Sequence, residues 1–218
     1  MLLNCSRQSG KSTVAAIRGL HEALEHGSLV LLLAPALRQS TELGRKVKDA
    51  YVNARKTLAL PAVAEESSLR MEFSNGGRIV SLPGKEGTIR GFSGVGLLLV
   101  DEASRVPDDL YYAVRPMLAV SGGRIVLLST PFGRRGFFFK EWDEGTGWHR
   151  VSITASQCPR IPAEWLARER AQIGDWWFEQ EYGCAFVDTQ DQVFRYEDVR
   201  AAYDDEVQPL DLPVFKSA

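Results

Sequence analysis

The sequence predicts an α/β fold, a mainly parallel sheet flanked by helices, and three stretches carry that prediction. A short apolar run, Leu2-Leu3, leads into the loop Cys5-Ser6-Arg7-Gln8-Ser9-Gly10-Lys11-Ser12-Thr13 and then into a helix-like segment over residues 14–24. A second apolar run, Gly96-Leu97-Leu98-Leu99-Val100, ends in two acids, Asp101 and Glu102. A third, Gly123-Arg124-Ile125-Val126-Leu127-Leu128, ends in Ser129-Thr130-Pro131. Near-continuous apolar runs of this length read as strands buried on both faces, the pattern of parallel sheets.

The first stretch has the order strand, Gly-Lys-Ser loop, helix, which is the context of a phosphate-binding loop. Successive loop amides can wrap a phosphate, and the following helix adds its positive end. Lys11 can then reach the β and γ phosphates, and the Ser12 hydroxyl can reach Mg²⁺. The usual pattern begins with glycine five positions before Gly10, and Cys5 stands there instead. Residues 28–34 form the next apolar strand. Residues 37–56 have helical spacing (Leu37, Leu43, Val47, Ala50, Tyr51) with charges on the other face. Residues 69–73 alternate, Asn75-Gly76 marks a turn, and residues 78–82 follow, which is a hairpin pattern. A glycine-rich connection over 84–94 carries Arg90.

In the second apolar run, the acids fall at the strand end where open α/β sheets bind ligands. Asp101 there would hold Mg²⁺, and Glu102 would orient or deprotonate an attacking water. The plainer alternative is an acidic segment opening a helix. Pro107-Asp108-Asp109 starts a helix to about Val120. The third strand comes one helix-length after the acids, as a right-handed crossover requires. Ser129 and Thr130 would emerge at the same sheet edge beside a γ-phosphate, or else form an ordinary strand-end turn before Pro131. Phe137-Phe138-Phe139 are expected to pack, and residues 148–155 read as the last strand. Helical segments at 162–172 and 175–182 form a small subdomain whose apolar surface comes from Trp165, Trp176, Trp177 and Phe178. The tail from Asp188 is polar, with Pro209 and Pro213. The expected organisation is a core over 1–156, a linker subdomain over 157–194, and a tail over 195–218.

Composition narrows the function classes. With 26 Lys and Arg against 28 Asp and Glu, the net charge is −2, so any nucleic-acid contact would have to be local or supplied by a further domain. Cys5, Cys158 and Cys184 are widely spaced and give neither a metal-ligand pattern nor an even disulfide framework. No apolar run approaches the roughly 20 residues of a membrane span, and residues 1–4 lack the features of a secretory signal.

The phosphate loop Ser6-Arg7-Gln8-Ser9-Gly10-Lys11-Ser12-Thr13, the run Leu97-Leu98-Leu99-Val100-Asp101-Glu102-Ala103 and the segment Leu128-Ser129-Thr130-Pro131 together resemble the ATPase part of tailed-phage terminase large subunits. Leu32-Leu33-Ala34-Pro35 with Gln39, and Phe178-Glu179-Gln180-Glu181-Tyr182 with Phe186, fit the same resemblance, which runs from Leu2 to about Phe194. It implies a P-loop NTPase with a RecA-like sheet, using ATP and Mg²⁺ to drive DNA into a procapsid. It assigns phosphate binding to residues 6–13, metal to Ser12 and Asp101, catalysis to Glu102, and coupling of hydrolysis to movement to Ser129 and Thr130. Arg7 matches an arginine acting on the same subunit's γ-phosphate. Arg90 lies in a region from which some members send an arginine into a neighbour. The implied partners are double-stranded DNA, the portal protein, the small terminase subunit and further copies in a ring. The implied location is the bacterial host cytoplasm, with no membrane. Two departures are expected to matter. Met1 stands almost on the first strand, without the upstream adenine-binding segment, and the chain stops at Ala218, where a ribonuclease-H-like nuclease would begin. Asp188, Asp191, Asp198, Asp204, Asp205 and Asp211 read as solvated linker charges, so no DNA cleavage is expected. Two rival readings stand beside this one. A helicase or repair ATPase would need a second RecA-like lobe. A truncated prophage remnant would be non-catalytic.

Overall fold

The computed structural model describes residues 1–84, 91–188, 194 and 196–203. Residues Met1–Val187 form one compact unit and Asp188–Ala218 a second. In the second unit the described structure is a single short helix, α7 (Tyr196–Ala201), with no buried residue.

The first unit is built on one sheet in the order β3-β4-β5-β2-β6-β7-β1-β8. Its strands are β1 (Leu2–Cys5), β2 (Leu29–Ala34), β3 (Val63–Glu66), β4 (Arg70–Phe73), β5 (Arg78–Pro83), β6 (Val95–Asp101), β7 (Arg124–Ser129) and β8 (Arg150–Ile153). The six strands from β5 to β8 run parallel. β4 and β3 extend the β5 edge antiparallel, which is the expected hairpin plus one strand. That extra strand, β3, escaped the sequence reading because its burial is slight and its residues, Val63-Ala64-Glu65-Glu66, show no apolar alternation.

Period-2 alternation explains why the central strands are apolar throughout. All six residues of β2 are buried. Leu29, Leu31 and Leu33 join a core on one face, while Val30 and Leu32 join a core on the other. Helices α1 (Lys11–His26) and α2 (Leu37–Ala54) cover the second face through Ala16, Leu20, Leu43 and Val47. Helices α3 (Asp108–Val114) and α4 (Gly136–Asp143) cover the first through Leu110, Tyr111, Phe137 and Phe138. α1 lies close on the sheet because Gly19 has no side chain: a Cβ there would come within 3.1 Å of Leu99 Cδ1.

The helix expected from Pro107 to Val120 is shorter. It stops at Val114, and a 3₁₀ turn (Arg115–Leu118) takes over. Pro116 has no N–H to continue the α-helical ladder. The three phenylalanines lie on α4, and all are buried. Helices α5 (Ala163–Ile173) and α6 (Asp175–Glu181) follow, and the end of α6 is tied by backbone bonds to the segments leaving β8 and β1: Ala155 N–H donates to Tyr182 O at 2.9 Å and Arg7 N–H to Glu181 O at 3.1 Å. None of the four aromatics expected to cover this subdomain is fully buried: Trp165 is 38% and Trp177 44% exposed, and Trp176 and Phe178 are partly buried.

Candidate functional site

Between β1 and α1, residues 6–10 make a tight loop. Gln8 (φ 61°) and Gly10 (φ 91°) adopt the left-handed backbone that turns it, and the Gly10 carbonyl accepts the Thr13 and Val14 amides to start the helix. Cys5 is not left-handed. It is the last residue of β1, and burial there pushes its thiol pKa up. A glycine is therefore not needed at that position. The first amides of α1 have no partner within the helix and face the loop end with partial positive charge.

Strand order brings the other motifs to this loop. β7 lies between β1 and β6. Asn4 of β1 sits opposite Ser129 of β7, and Asp101 of β6 opposite Leu128, so the three strands end together. At this edge Lys11 Nζ lies 3.2 Å from Glu102 Oε1, and the Ser12 hydroxyl neighbours Asp101 closely enough to lower its pKa. Glu102 is left-handed (φ 49°) and its amide donates to Asp101 Oδ1 at 3.0 Å. Asp101 is buried, and desolvation raises its pKa. The Glu102 charge adds to that rise, while the Ser12 hydroxyl and Lys11 oppose it. An oxygen pair of hydroxyl and carboxylate is the donor set a hard divalent cation takes.

Lys11, Ser12 and Glu102 face a cleft of about 460 Å³, and Asp101 is buried out of its lining. Its lining includes the cations Arg7, Lys11, Lys46, Arg105 and Arg160, set against the carboxylate of Glu102. Positive walls around a helix N-terminus favour a polyanion. Two loop hydroxyls, Ser6 Oγ and Ser9 Oγ, are buried without a hydrogen-bond partner, and neither residue lines the cleft. The residues present thus fit a nucleoside triphosphate with its divalent cation. A larger cleft of about 900 Å³ opens at the far ends of β1 and β7, beside Met1, Arg124 and Trp148, away from the loop over residues 6–10 and the acids at the end of β6.

Ser129 and Thr130 do not line the cleft. Both are buried behind it. Ser104, just past the two acids, clasps them: its Oγ lies 2.7 Å from Ser129 Oγ and donates to Thr130 O at 2.8 Å. Arg7 sits on the rim with its Nε 2.5 Å from Glu181 Oε2. Arg90 lies outside the described residues, as do Asp191, Asp204, Asp205 and Asp211. Among the described residues, no group of three or more His, Cys, Asp or Glu could hold a metal ion, and no helix is long and apolar enough to cross a membrane. Sequence reasoning missed Ser104, Lys46, Arg105 and Arg160. Lys46 reads as a solvent-facing helix charge. Arg160 lies 150 residues after Gly10 in sequence, yet its Nη2 donates to Gln8 O at 3.3 Å. Position after the acids was the available signal for Arg105 and Ser104.

A family model described as terminase large subunit, T4likevirus-type, N-terminal, matches residues 2–201. The terminase large subunit of Thermus virus P23-45 is 28% identical over 86% of this chain and 46% of its own length. That of Thermus phage G20c is 26% identical over the same shares. The chain thus spans about half the length of the curated relatives it matches. The large terminase ATPase domain of Thermus phage P74-26 superposes with a TM-score of 0.74 at 22% identity, covering 85% of this chain and 88% of that one. The large terminase of a thermophilic bacteriophage, in complex with ATP-gamma-S, gives 0.67 at 12% identity, covering 85% and 47%. At these identities the two structures speak to the fold, a RecA-like P-loop architecture.

Proposed function

The chain belongs to the family of terminase large subunit N-terminal regions, and from that membership we propose that it is the ATP-hydrolysing motor domain of a phage DNA-packaging machine. The observation that carries the reading is the Lys11–Glu102 pair, 3.2 Å apart at the mouth of a cationic cleft beside a phosphate-loop backbone. Residues 6–13 would cradle the phosphates, with Lys11 neutralising them. Ser12 and Asp101 would hold Mg²⁺, which when bound supplies charge neutralisation and alignment of the phosphates. Glu102 would leave Lys11 as the phosphates take its place. It would then orient the attacking water and accept its proton. Arg7 would neutralise charge spreading over the transferred phosphoryl oxygens. The Ser104 clasp on Ser129 and Thr130 would carry the rearrangement at the acids into β7, the coupling step.

The work driven would be translocation of double-stranded DNA into a procapsid, in the host cytoplasm. The chain would act as one member of a ring at a portal, alongside a small terminase subunit, with Arg90 reaching a neighbour's site. The relatives named as terminase large subunits support this wider reading. Calorimetric titration with Mg·ATP tests its basis. The wild-type chain should bind, and Lys11→Ala should lose binding. Unchanged affinity in Lys11→Ala would overturn the assignment of the phosphate loop.

A further inference from the structure

Glu181, the last residue of α6, touches the cleft's machinery without lining the cleft. Its side chain is 13% exposed and stands between two arginines of the rim: Arg7 Nε at 2.5 Å from Oε2, and Arg105 Nη2 at 3.9 Å from Oε1. Short as the first approach is, Glu181 Oε2 is buried and receives no hydrogen bond of ordinary geometry. The pair is a charge contact with poor alignment, and its Arg7 half is 57% exposed. Such a contact holds an arginine weakly and gives it up to a better anion.

The surroundings give the exchange a direction. The backbone tie between Arg7 N–H and Glu181 O does not involve either side chain, so α6 stays fastened to the loop when the guanidinium leaves. Arg105 is already placed to take over the carboxylate. Its guanidinium rests on the Phe132 ring at 4.1 Å from the centroid, two residues past the buried Thr130. A shift of Arg105 towards Glu181 therefore pulls on the segment that follows the coupling pair.

We propose that Glu181 is a positioning residue for the triphosphate: it holds Arg7 beside the phosphate loop and exchanges it for Arg105 when a γ-phosphate arrives. The inference rests on the nucleotide-binding reading above. A diphosphate leaves Arg7 where it is, whereas a triphosphate must draw it off the carboxylate. Glu181 thus sets the ratio of triphosphate to diphosphate affinity rather than affinity itself.

The test is calorimetric titration of the full chain with Mg·ATPγS and Mg·ADP. In Glu181→Gln the Mg·ATPγS affinity should rise by roughly two- to fivefold, the worth of a partly exposed ion pair, with Mg·ADP affinity unchanged. In the Arg7→Ala background the same substitution should leave the ratio unmoved. Glu181→Asp draws the charge back by one methylene, so it should shift the ratio the same way by less; it serves if Glu181→Gln does not fold. A parallel fall in both affinities would mean that Glu181 only supports the fold, and would overturn the proposal. An unchanged ratio, or the same change with Arg7 absent, would overturn it equally. If the wild-type chain binds neither nucleotide, the nucleotide-binding reading fails first and this inference with it.

Discussion

Replacing Glu102 by glutamine separates binding from chemistry, because it removes the charge and keeps the shape. Glu102 neutralises Lys11 at 3.2 Å, and the Lys11 side chain is 8% exposed against 24% for Glu102. At an effective dielectric of about 20, the bare attraction at that distance is roughly 5 kcal/mol, most of it offset by desolvation. A net of about 1 kcal/mol is what a partly solvated pair retains. Phosphate must displace Glu102 from Lys11 to bind, so Glu102→Gln should tighten Mg·ATPγS binding by about fivefold. Turnover should fall by about 10²-fold or more, since no carboxylate remains to accept the water's proton. Calorimetry measures the first and phosphate release under saturating ATP the second. Affinity weakened by more than about threefold would refute Glu102 as the competitor for Lys11. Turnover within about fivefold of wild type would refute it as the base.

The core supplies a second test. Phe137 is 1% exposed and stacks on Tyr111 with centroids 3.9 Å apart and rings 9° from parallel, so Phe137→Ala should cost about 3–5 kcal/mol in urea denaturation; a loss below about 1 kcal/mol would contradict this packing. The third concerns Glu22, buried on α1. Burial pushes its carboxyl pKa up, but hydrogen bonds from Arg124 (2.6 and 2.8 Å) and Arg18 (2.9 Å) outweigh that and hold it below the usual carboxylate value of 4.5. A depressed folded pKa contributes stability that is present above the unfolded value and lost as pH falls through the folded one. The Tm advantage of wild type over Glu22→Gln should therefore be constant above about pH 5 and shrink below pH 4.5; an advantage undiminished at pH 3 would show that the ion pairs are not its source.

The sequence alone determined the parallel core and set at its edge the loop proposed to hold phosphate. Runs such as Leu29–Ala34 and residues 97–100 are apolar at every position that two covered faces require, and that demand is local to the strand. That Lys11, Ser12, Asp101 and Glu102 share one sheet edge was legible for a related reason. A phosphate loop and a strand-end acid are each set by a few consecutive residues, so their spacing can be read directly. What the sequence could not express is which distant charges share a cleft. Lys46 on α2, Arg105 after the acids and Arg160 before α5 meet around the loop because β7 lies between β1 and β6 and α6 ties back to Arg7, and no short-range pattern records that. The same holds for Ser129 and Thr130. Strand periodicity puts them at the right edge, but their burial behind Ser104 is decided by neighbouring strands ending in register. Local propensity acts over one turn of helix or two residues of strand, whereas a site of this kind is assembled by the order in which strands pair.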